Sequence, residues 1–473
     1  MSDESRHQLV VLGAGPGGYT AAFLAADLGM EVVLIDKDAN PGGVCLHRGC
    51  IPSKALLHAS EVLHEAKQAE AIGITFGAPQ IDLAQLKTWK ETVVSNMVSG
   101  LAMLAKRRNI TYIQGTGVFK DSHTLSVAHA EGQSSDISFE HCILATGSSP
   151  ASLPGLSFEN PHVWDSTDAL ALAEIPERLL VVGGGYIGLE LGSVYASLGS
   201  RVSVVEMTSG LMPGMDRDLV QIFLKSASQL FESIMVNTKL TSSSESNGKM
   251  RVRLDSEHGP SKDDAFDKIL VSIGRKPNTV GIGLENTKIT LDPRGFVRVN
   301  DFLQTDDPAI YAIGDIAEGP LLAHKASSEG RTAVEAICGQ AKSKNRLIPG
   351  VVYTNPEIAT VGLTEVQAKA EGREVKVIKF PWQASGRAAA MQHSDGVTKL
   401  LIDPATGKIL GAGIAGKGAG EMISEGALAI QTGATAHDLA SVIHPHPTLS
   451  ETIMEACESF YGTSTHIYRP TRK

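Results

Sequence analysis

Leu9-Val10-Val11-Leu12-Gly13-Ala14-Gly15-Pro16-Gly17-Gly18 passes from an apolar strand through a glycine-rich turn into the start of a helix. Alone, a G-x-G-x-x-G motif of this kind is weak. Here it recurs: Leu179-Leu180-Val181-Val182 leads into Gly183-Gly184-Gly185-Tyr186-Ile187-Gly188. In each copy a glycine closes the following helix (Gly29, Gly199) and a second β-rich run follows (Glu31 to Ile35, Arg201 to Val205). Each run then ends in an acid at the same offset from its first glycine, Asp36 and Glu206. Strand, glycines, helix, strand and acid agree twice, which predicts two dinucleotide-binding units of the Rossmann type. Gly13 and Gly183 permit the tight turn, Gly15 and Gly185 let the backbone approach a pyrophosphate, and Gly18 and Gly188 let helix and strand pack closely. The helix N-terminus supplies donors and a positive dipole end. Each acid can accept hydrogen bonds from an adenosine ribose. Glu206 would repel a 2′-phosphate, so it favours NAD over NADP.

A thiol pair follows the first unit, in Gly42-Gly43-Val44-Cys45-Leu46-His47-Arg48-Gly49-Cys50-Ile51-Pro52-Ser53-Lys54. It reads as a disulfide that accepts electron pairs from a neighbouring cofactor. A disulfide must lie next to the group that reduces it, so the first unit is expected to hold a flavin and the second the nicotinamide. Both cysteines are expected at the start of a helical run, Ile51 to Glu65, where the dipole favours thiolate. Two further segments point to the flavin. Ile310-Tyr311-Ala312-Ile313-Gly314-Asp315 is a β-run whose terminal acid can reach a ribitol hydroxyl, and Ala145-Thr146-Gly147 is a shorter strand-to-turn junction.

Composition sets the outer limits. A chain of 473 residues is too long for one core, and 42% hydrophobic with 20% charged residues is a soluble balance. The net charge of −10 argues against nucleic acid or an anionic membrane as the main partner. No apolar run approaches the roughly 20 residues that span a bilayer. The short polar start, Met1 to Gln8, leaves no room for a signal or transit peptide, so a cytoplasmic location is expected. Five cysteines do not make a structural disulfide framework, and a persistent disulfide in a reducing compartment is usually catalytic. Cys142, Cys338 and Cys457 read as small buried hydrophobes.

With the Cys45 to Lys54 stretch, the two glycine motifs, Ala312-Ile313-Gly314-Asp315 and His444-Pro445-His446-Pro447-Thr448-Leu449-Ser450-Glu451 in order, the whole chain resembles the pyridine nucleotide-disulfide oxidoreductases. These are the flavoprotein disulfide reductases, and the motifs are closest to their dihydrolipoamide dehydrogenase branch. The resemblance implies an α/β fold in four regions. These are an FAD-binding domain with the redox disulfide (1–150), an NAD-binding domain (151–276), a central domain completing the FAD site (277–346) and a C-terminal α+β dimerisation domain (347–473). Polar segments at Lys344 to Gly350, Ser242 to Gly248 and Ser256 to Asp264 read as a boundary and two hairpin loops.

The resemblance also implies roles. Cys45 is the interchange thiol that meets a dithiol substrate, and Cys50 is the thiolate in charge-transfer contact with the flavin. Lys54 neutralises charge near the reactive flavin nitrogen, with Glu190 as its ion-pair partner. His446 and Glu451 are the acid-base pair, because a thiol needs a base before it attacks and imidazole suits neutral pH. His444 is left to packing or hydrogen bonding, and no zinc-like spacing supports a metal there. Gly117 resembles a backbone site for the FAD adenine. Thr146 and Gly147, and Leu322, Ala323 and His324, resemble further flavin-side segments. Gly274 and Arg275 resemble contacts on the nicotinamide side.

The implied activity is oxidation of protein-bound dihydrolipoamide by NAD⁺ through the disulfide and FAD. The implied assembly is a homodimer whose active sites each take His446 and Glu451 from the opposite subunit. Lipoyl domains and the acyltransferase core of 2-oxoacid dehydrogenase complexes, or the glycine cleavage system, are the implied partners. Another flavoprotein disulfide reductase with a different disulfide substrate is the alternative. Two positions depart from the pattern. Asp36 stands where glutamate is more usual, and His47-Arg48 lies between the cysteines where neutral residues are commoner. Arg48 is expected either to add positive potential at the thiolates or to stand as a solvated surface arginine.

Overall fold

The computed structural model describes residues 6–340 and 347–468. The repeat read from the glycine motifs is present as two parallel sheets of like topology. In the first, the strands lie in the order Thr111–Asp121, Val32–Asp36, His7–Leu12, Ser134–Leu144, Ile310–Ala312. In the second the order is Ser233–Met235, Arg201–Val205, Arg178–Val182, Lys268–Val271, Val163–Trp164. Leu9 to Leu12 and Leu179 to Val182 are buried throughout, as strands covered on both faces must be.

The likeness between the units goes further than the sequence shows. Each carries an antiparallel excursion of three strands: Thr124–His129 lies between extensions of Thr111–Asp121 and Ser134–Leu144, and Thr238–Ser246, Lys249–Ser256 and Lys262–Phe266 form the second. This corrects the reading of Ser242 to Gly248 and Ser256 to Asp264 as loops. Ser242 to Ser246 pair with Lys249 to Arg253, and only Asn247 and Gly248, both at positive φ, make the turn. Lys262 to Asp264 likewise lie in a strand. A ribbon with one solvated face reads as polar even where it is regular.

The Ile310–Ala312 strand adds to the first sheet beside Ser134–Leu144, so the stretch read as a central region is bonded directly to the first unit. The helix Ala323–Ile337 packs along Pro16–Asp27 so closely that a Cβ on Gly330 would lie 2.5 Å from the Gly17 carbonyl oxygen. The boundary expected at Lys344 to Gly350 falls partly outside the described residues, and Gly350 already opens a strand.

The C-terminal region is an antiparallel sheet in the order Gly350–Val352, Glu357–Gly362, Ile409–Gly416, Val397–Ile402, Lys376–Pro381. Strand alternation divides its two faces. Ala359, Val361 and Ile414 belong to its own core, whereas Ile358 and Ala415 belong to the core of the second dinucleotide unit. That docking is close: a Cβ on Gly413 would meet the Leu219 side chain, on the helix Arg217–Leu230, at 2.6 Å. Beside it Lys399, fully buried, is paired with Asp216, Asp218 and Glu365. Cys142 and Cys457 are buried as expected; Cys338, at the end of Ala323–Ile337, is half-buried.

Candidate functional site

The two glycine loops are built alike. A Cβ on Gly13 would lie 2.2 Å from the Ala145 carbonyl oxygen, and one on Gly183 would lie 2.5 Å from that of Ser272. The first glycine is therefore also forced by the strand end that crosses behind it. Gly18 and Gly188 each back onto the carbonyl of their own first glycine. By contrast, nothing lies within 4 Å of where a side chain would start at Gly15 or Gly185. Both are N-caps of helices, Pro16–Asp27 and Tyr186–Ser197, whose first-turn N–H groups no side chain caps. Open space before uncapped donors fits a pyrophosphate at each loop.

The acids complete the match. Asp36 accepts from the Ala14 N–H (2.5 Å) and the Asp38 N–H (2.9 Å); Glu206 accepts from the Gly184 N–H and the Thr208 N–H, both at 2.7 Å. Each acid thus fixes its glycine loop while keeping lone pairs for a ribose. The shorter Asp36 serves the loop as Glu206 does. Gly117 is on Thr111–Asp121, where a Cβ would come within 2.9 Å of the end of the Leu12 side chain.

Cys45 and Cys50 do not share a helix, which corrects the expected placement. Cys45 lies in a short helix, Gly43–Arg48, and Cys50 is the first residue of the next, Cys50–Gln68. Gly49 makes the break, where a Cβ would meet the Val44 carbonyl oxygen at 2.8 Å. As free thiols the two are hydrogen-bonded to each other. The bond from Cys45 lowers Cys50 to about 7, against burial and with help from Lys54, while Cys45 is pushed well up by the same bond and by burial. The direction of these influences favours the thiolate at Cys50.

Lys54, one turn further on, lies 2.7 Å from Glu190 on the glycine-motif helix of the second unit. The Glu190 side chain is only 5% exposed and also accepts from the Tyr353 N–H at 3.0 Å. Tyr353 closes the site from the C-terminal sheet, its ring 4.3 Å from Lys54 Nζ. Arg48, by contrast, makes a two-pronged bridge to Asp38 at 2.7 and 3.3 Å. The largest influences on the thiols are each other and Lys54, with Glu190 at Cys50, and Arg48 is not among them.

Thr146 donates its hydroxyl to the Asn278 carbonyl, and Gly147 turns at positive φ. Gly274, also at positive φ, accepts from the Ala151 N–H, and Arg275 is held against Ser148. Ser148 in turn donates to Asp315 at 2.6 Å. Behind Asp315 the buried Lys325–Glu329 pair grips Gly314, by Glu329 accepting from its N–H and Lys325 donating to its carbonyl. Leu322 is the uncapped N-cap of the helix Ala323–Ile337, and His324 donates to the Pro349 carbonyl. Tyr186, raised to about 12 by burial and by the charge of Asp315, stands where the two dinucleotide regions meet. Ser148, Lys325, Glu329 and Tyr353 were not found from sequence. The i,i+4 spacing of Lys325 and Glu329 was the one local signal.

His446 and Glu451 lie on a different part of the chain, before and at the start of the helix Glu451–Tyr461. His446 Nδ1 is 2.8 Å from Glu451 Oε1, and Oε2 accepts from the Thr448 N–H at 2.7 Å. Burial raises Glu451, but that N–H and the imidazole hold it below the usual carboxylate range. The imidazole is 72% exposed. Its neighbour His444 is buried and bonded to Glu425 (2.9 Å) and the Val442 carbonyl, as expected of a packing residue. Among the described residues the one carboxylate cluster of metal-binding shape is Asp216, Asp218 and Glu365, and Lys399 is seated in it. No described helix is long and apolar enough to cross a membrane.

Comparison with known proteins gives two family matches. Residues 7–330 match the pyridine nucleotide-disulphide oxidoreductase model, and residues 348–457 match the dimerisation domain of the same family. A dihydrolipoyl dehydrogenase of Vibrio parahaemolyticus is 46% identical over 100% of this chain and 99% of its own length. One from Thermus scotoductus is 43% identical, covering 98% and 99%. Among solved structures, LpdA from Mycobacterium tuberculosis superposes with a TM-score of 0.89 at 28% identity, covering 96% of this chain and 99% of that one.

Proposed function

The chain belongs to the pyridine nucleotide-disulphide oxidoreductases, and from that membership we propose that it acts as a dihydrolipoyl dehydrogenase. It is an FAD- and NAD-dependent oxidoreductase that converts dihydrolipoamide and NAD⁺ to lipoamide, NADH and a proton. The observation that carries the reading is the thiol pair itself. Cys45 and Cys50 follow one dinucleotide loop, and Lys54 ties them to the helix of the other.

The residues divide the work as follows. Gly13, Gly15, Gly18, Asp36, Thr146, Gly147, Asp315 and the helix end at Leu322 to His324 would hold FAD. Gly183, Gly185, Gly188, Glu206, Gly274 and Arg275 would hold NAD. Glu451 keeps the His446 proton on Nδ1, so Nε2 is free to take a proton from a substrate thiol. The resulting thiolate attacks Cys45 Sγ of the oxidised pair, breaking the disulfide, and Cys50 leaves as a thiolate beside Lys54. The second substrate thiol then attacks the mixed disulfide, releasing lipoamide and the Cys45 thiol. When bound, FAD supplies the two-electron link from these thiols to NAD⁺.

His446 is exposed, as is Ile443 at 95%, on the part of the chain that matches the dimerisation domain. This supports a homodimer in which His446 and Glu451 serve the thiols of the opposite subunit. Lipoyl domains carried on an acyltransferase core are the proposed donors of dihydrolipoamide. Anaerobic titration with dihydrolipoamide and then NAD⁺, read by flavin absorbance, tests the assignment. A thiolate–flavin band followed by NADH is expected. No reduction by dihydrolipoamide, with turnover of NADPH and glutathione disulfide instead, would overturn it.

A further inference from the structure

The chain leaves the first dinucleotide unit through Ser148–Pro150 and the second through Arg275–Pro277, and these segments pair antiparallel, Lys276 opposite Ser149 and Pro277 opposite Ser148. Ser148 is only 3% exposed. Its Oγ donates to Asp315 Oδ2 at 2.6 Å and accepts from Arg275 Nε at 2.6 Å, and its carbonyl accepts from Arg275 Nη2 at 2.6 Å. A guanidinium can only donate, so the Ser148 hydroxyl accepts from Arg275 and gives its one proton to Asp315. The chain of bonds from Arg275 through Ser148 to Asp315 therefore has a fixed direction, with an ionic group at each end to strengthen it. Oδ1 of Asp315 carries neither of these bonds. The backbone around the crossing is fixed separately, by Asn278 N–H to the Gly147 carbonyl and Ala151 N–H to the Gly274 carbonyl. Arg275, Ser148 and Asp315 add a side-chain path from one site's edge to the other.

We propose that Ser148 is a positioning residue that couples the two dinucleotide sites, aiming the Asp315 carboxylate at the FAD ribitol according to how firmly Arg275 is held. The inference rests on placing FAD at Asp315 and NAD beside Arg275. Ordering Arg275 on NAD⁺ binding would fix the Ser148 hydroxyl, and through it the carboxylate. By linkage, NAD⁺ then strengthens FAD retention and FAD strengthens NAD⁺ binding by the same factor.

The test is FAD release from the holoenzyme, followed by flavin fluorescence with and without saturating NAD⁺. In the native protein NAD⁺ should slow release about tenfold, within the usual range of such couplings. Ser148→Ala should bring that ratio to about one, and Ser148→Thr, which keeps the hydroxyl, should preserve it. If Ser148→Ala fails to fold, Arg275→Gln cuts the same chain from its other end and should also abolish the ratio. A ratio that survives either cut, or a native enzyme whose FAD release ignores NAD⁺, overturns the coupling. A purified protein that holds no flavin or binds no NAD⁺ would instead sink the functional reading, and the coupling with it.

Discussion

Lys54 Nζ lies 2.7 Å from Glu190 Oε2, an ion pair joining the helix that begins at Cys50 to the glycine-motif helix of the second dinucleotide unit. It places one cation near Cys50 and holds it there from 136 residues away. Lys54 is one of the groups that lower the Cys50 thiol, and removing it should raise the pH at which the reduced pair forms its thiolate. For Lys54→Met, the midpoint of the thiolate–flavin absorbance should climb from near 7 by at least about 1 pH unit. A midpoint that stays in place would exclude Lys54 as the source of the effect.

Arg48 gives the opposite expectation. Its guanidinium is committed to Asp38, so Arg48→Val should leave that titration unchanged within about 0.3 pH units. Thermal unfolding should record the lost bridge instead, by about 1 kcal/mol or less, since the pair is part-exposed.

Glu451→Gln keeps the size of the side chain but removes the charge that supports the imidazolium. The rate with dihydrolipoamide should fall by about a hundredfold or more. Oxidation of NADH by ferricyanide, which needs no proton taken from a substrate thiol, should be untouched. Equal losses in both assays would mean that Glu451 acts on the fold and not on His446.

Glu206 holds its loop through two N–H groups. Glu206→Ala should therefore weaken NAD⁺ binding and also destabilise the protein. Each lost bond to a charged group is worth about 1.5–3 kcal/mol. Rising KM for NAD⁺ with a falling unfolding midpoint checks both. FAD content should stay constant, because the loop at Asp36 is a separate copy.

Much of the site was legible because its signals are local. Cys45, Cys50 and Lys54 fall within one short stretch of sequence, and His446 and Glu451 within another. Spacing alone brings such residues together. The helix break at Gly49 was missed because it depends on how closely the chain folds back on Val44. The strands Thr238–Ser246 and Lys262–Phe266 were missed for another reason: a solvated ribbon has the composition of a loop, and only pairing reveals it.

Two glycine-motif units, the thiol pair and the His446–Glu451 pair are each written in a few consecutive residues. Tertiary structure decided what those residues touch. It bound Arg48 to Asp38 and not to the thiols, sealed Lys399 among Asp216, Asp218 and Glu365, and ran Arg275 through Ser148 to Asp315. These partners come from distant parts of the chain. Backbone periodicity can fix a residue's face, but which group meets it across a domain boundary is settled only when the sheets dock.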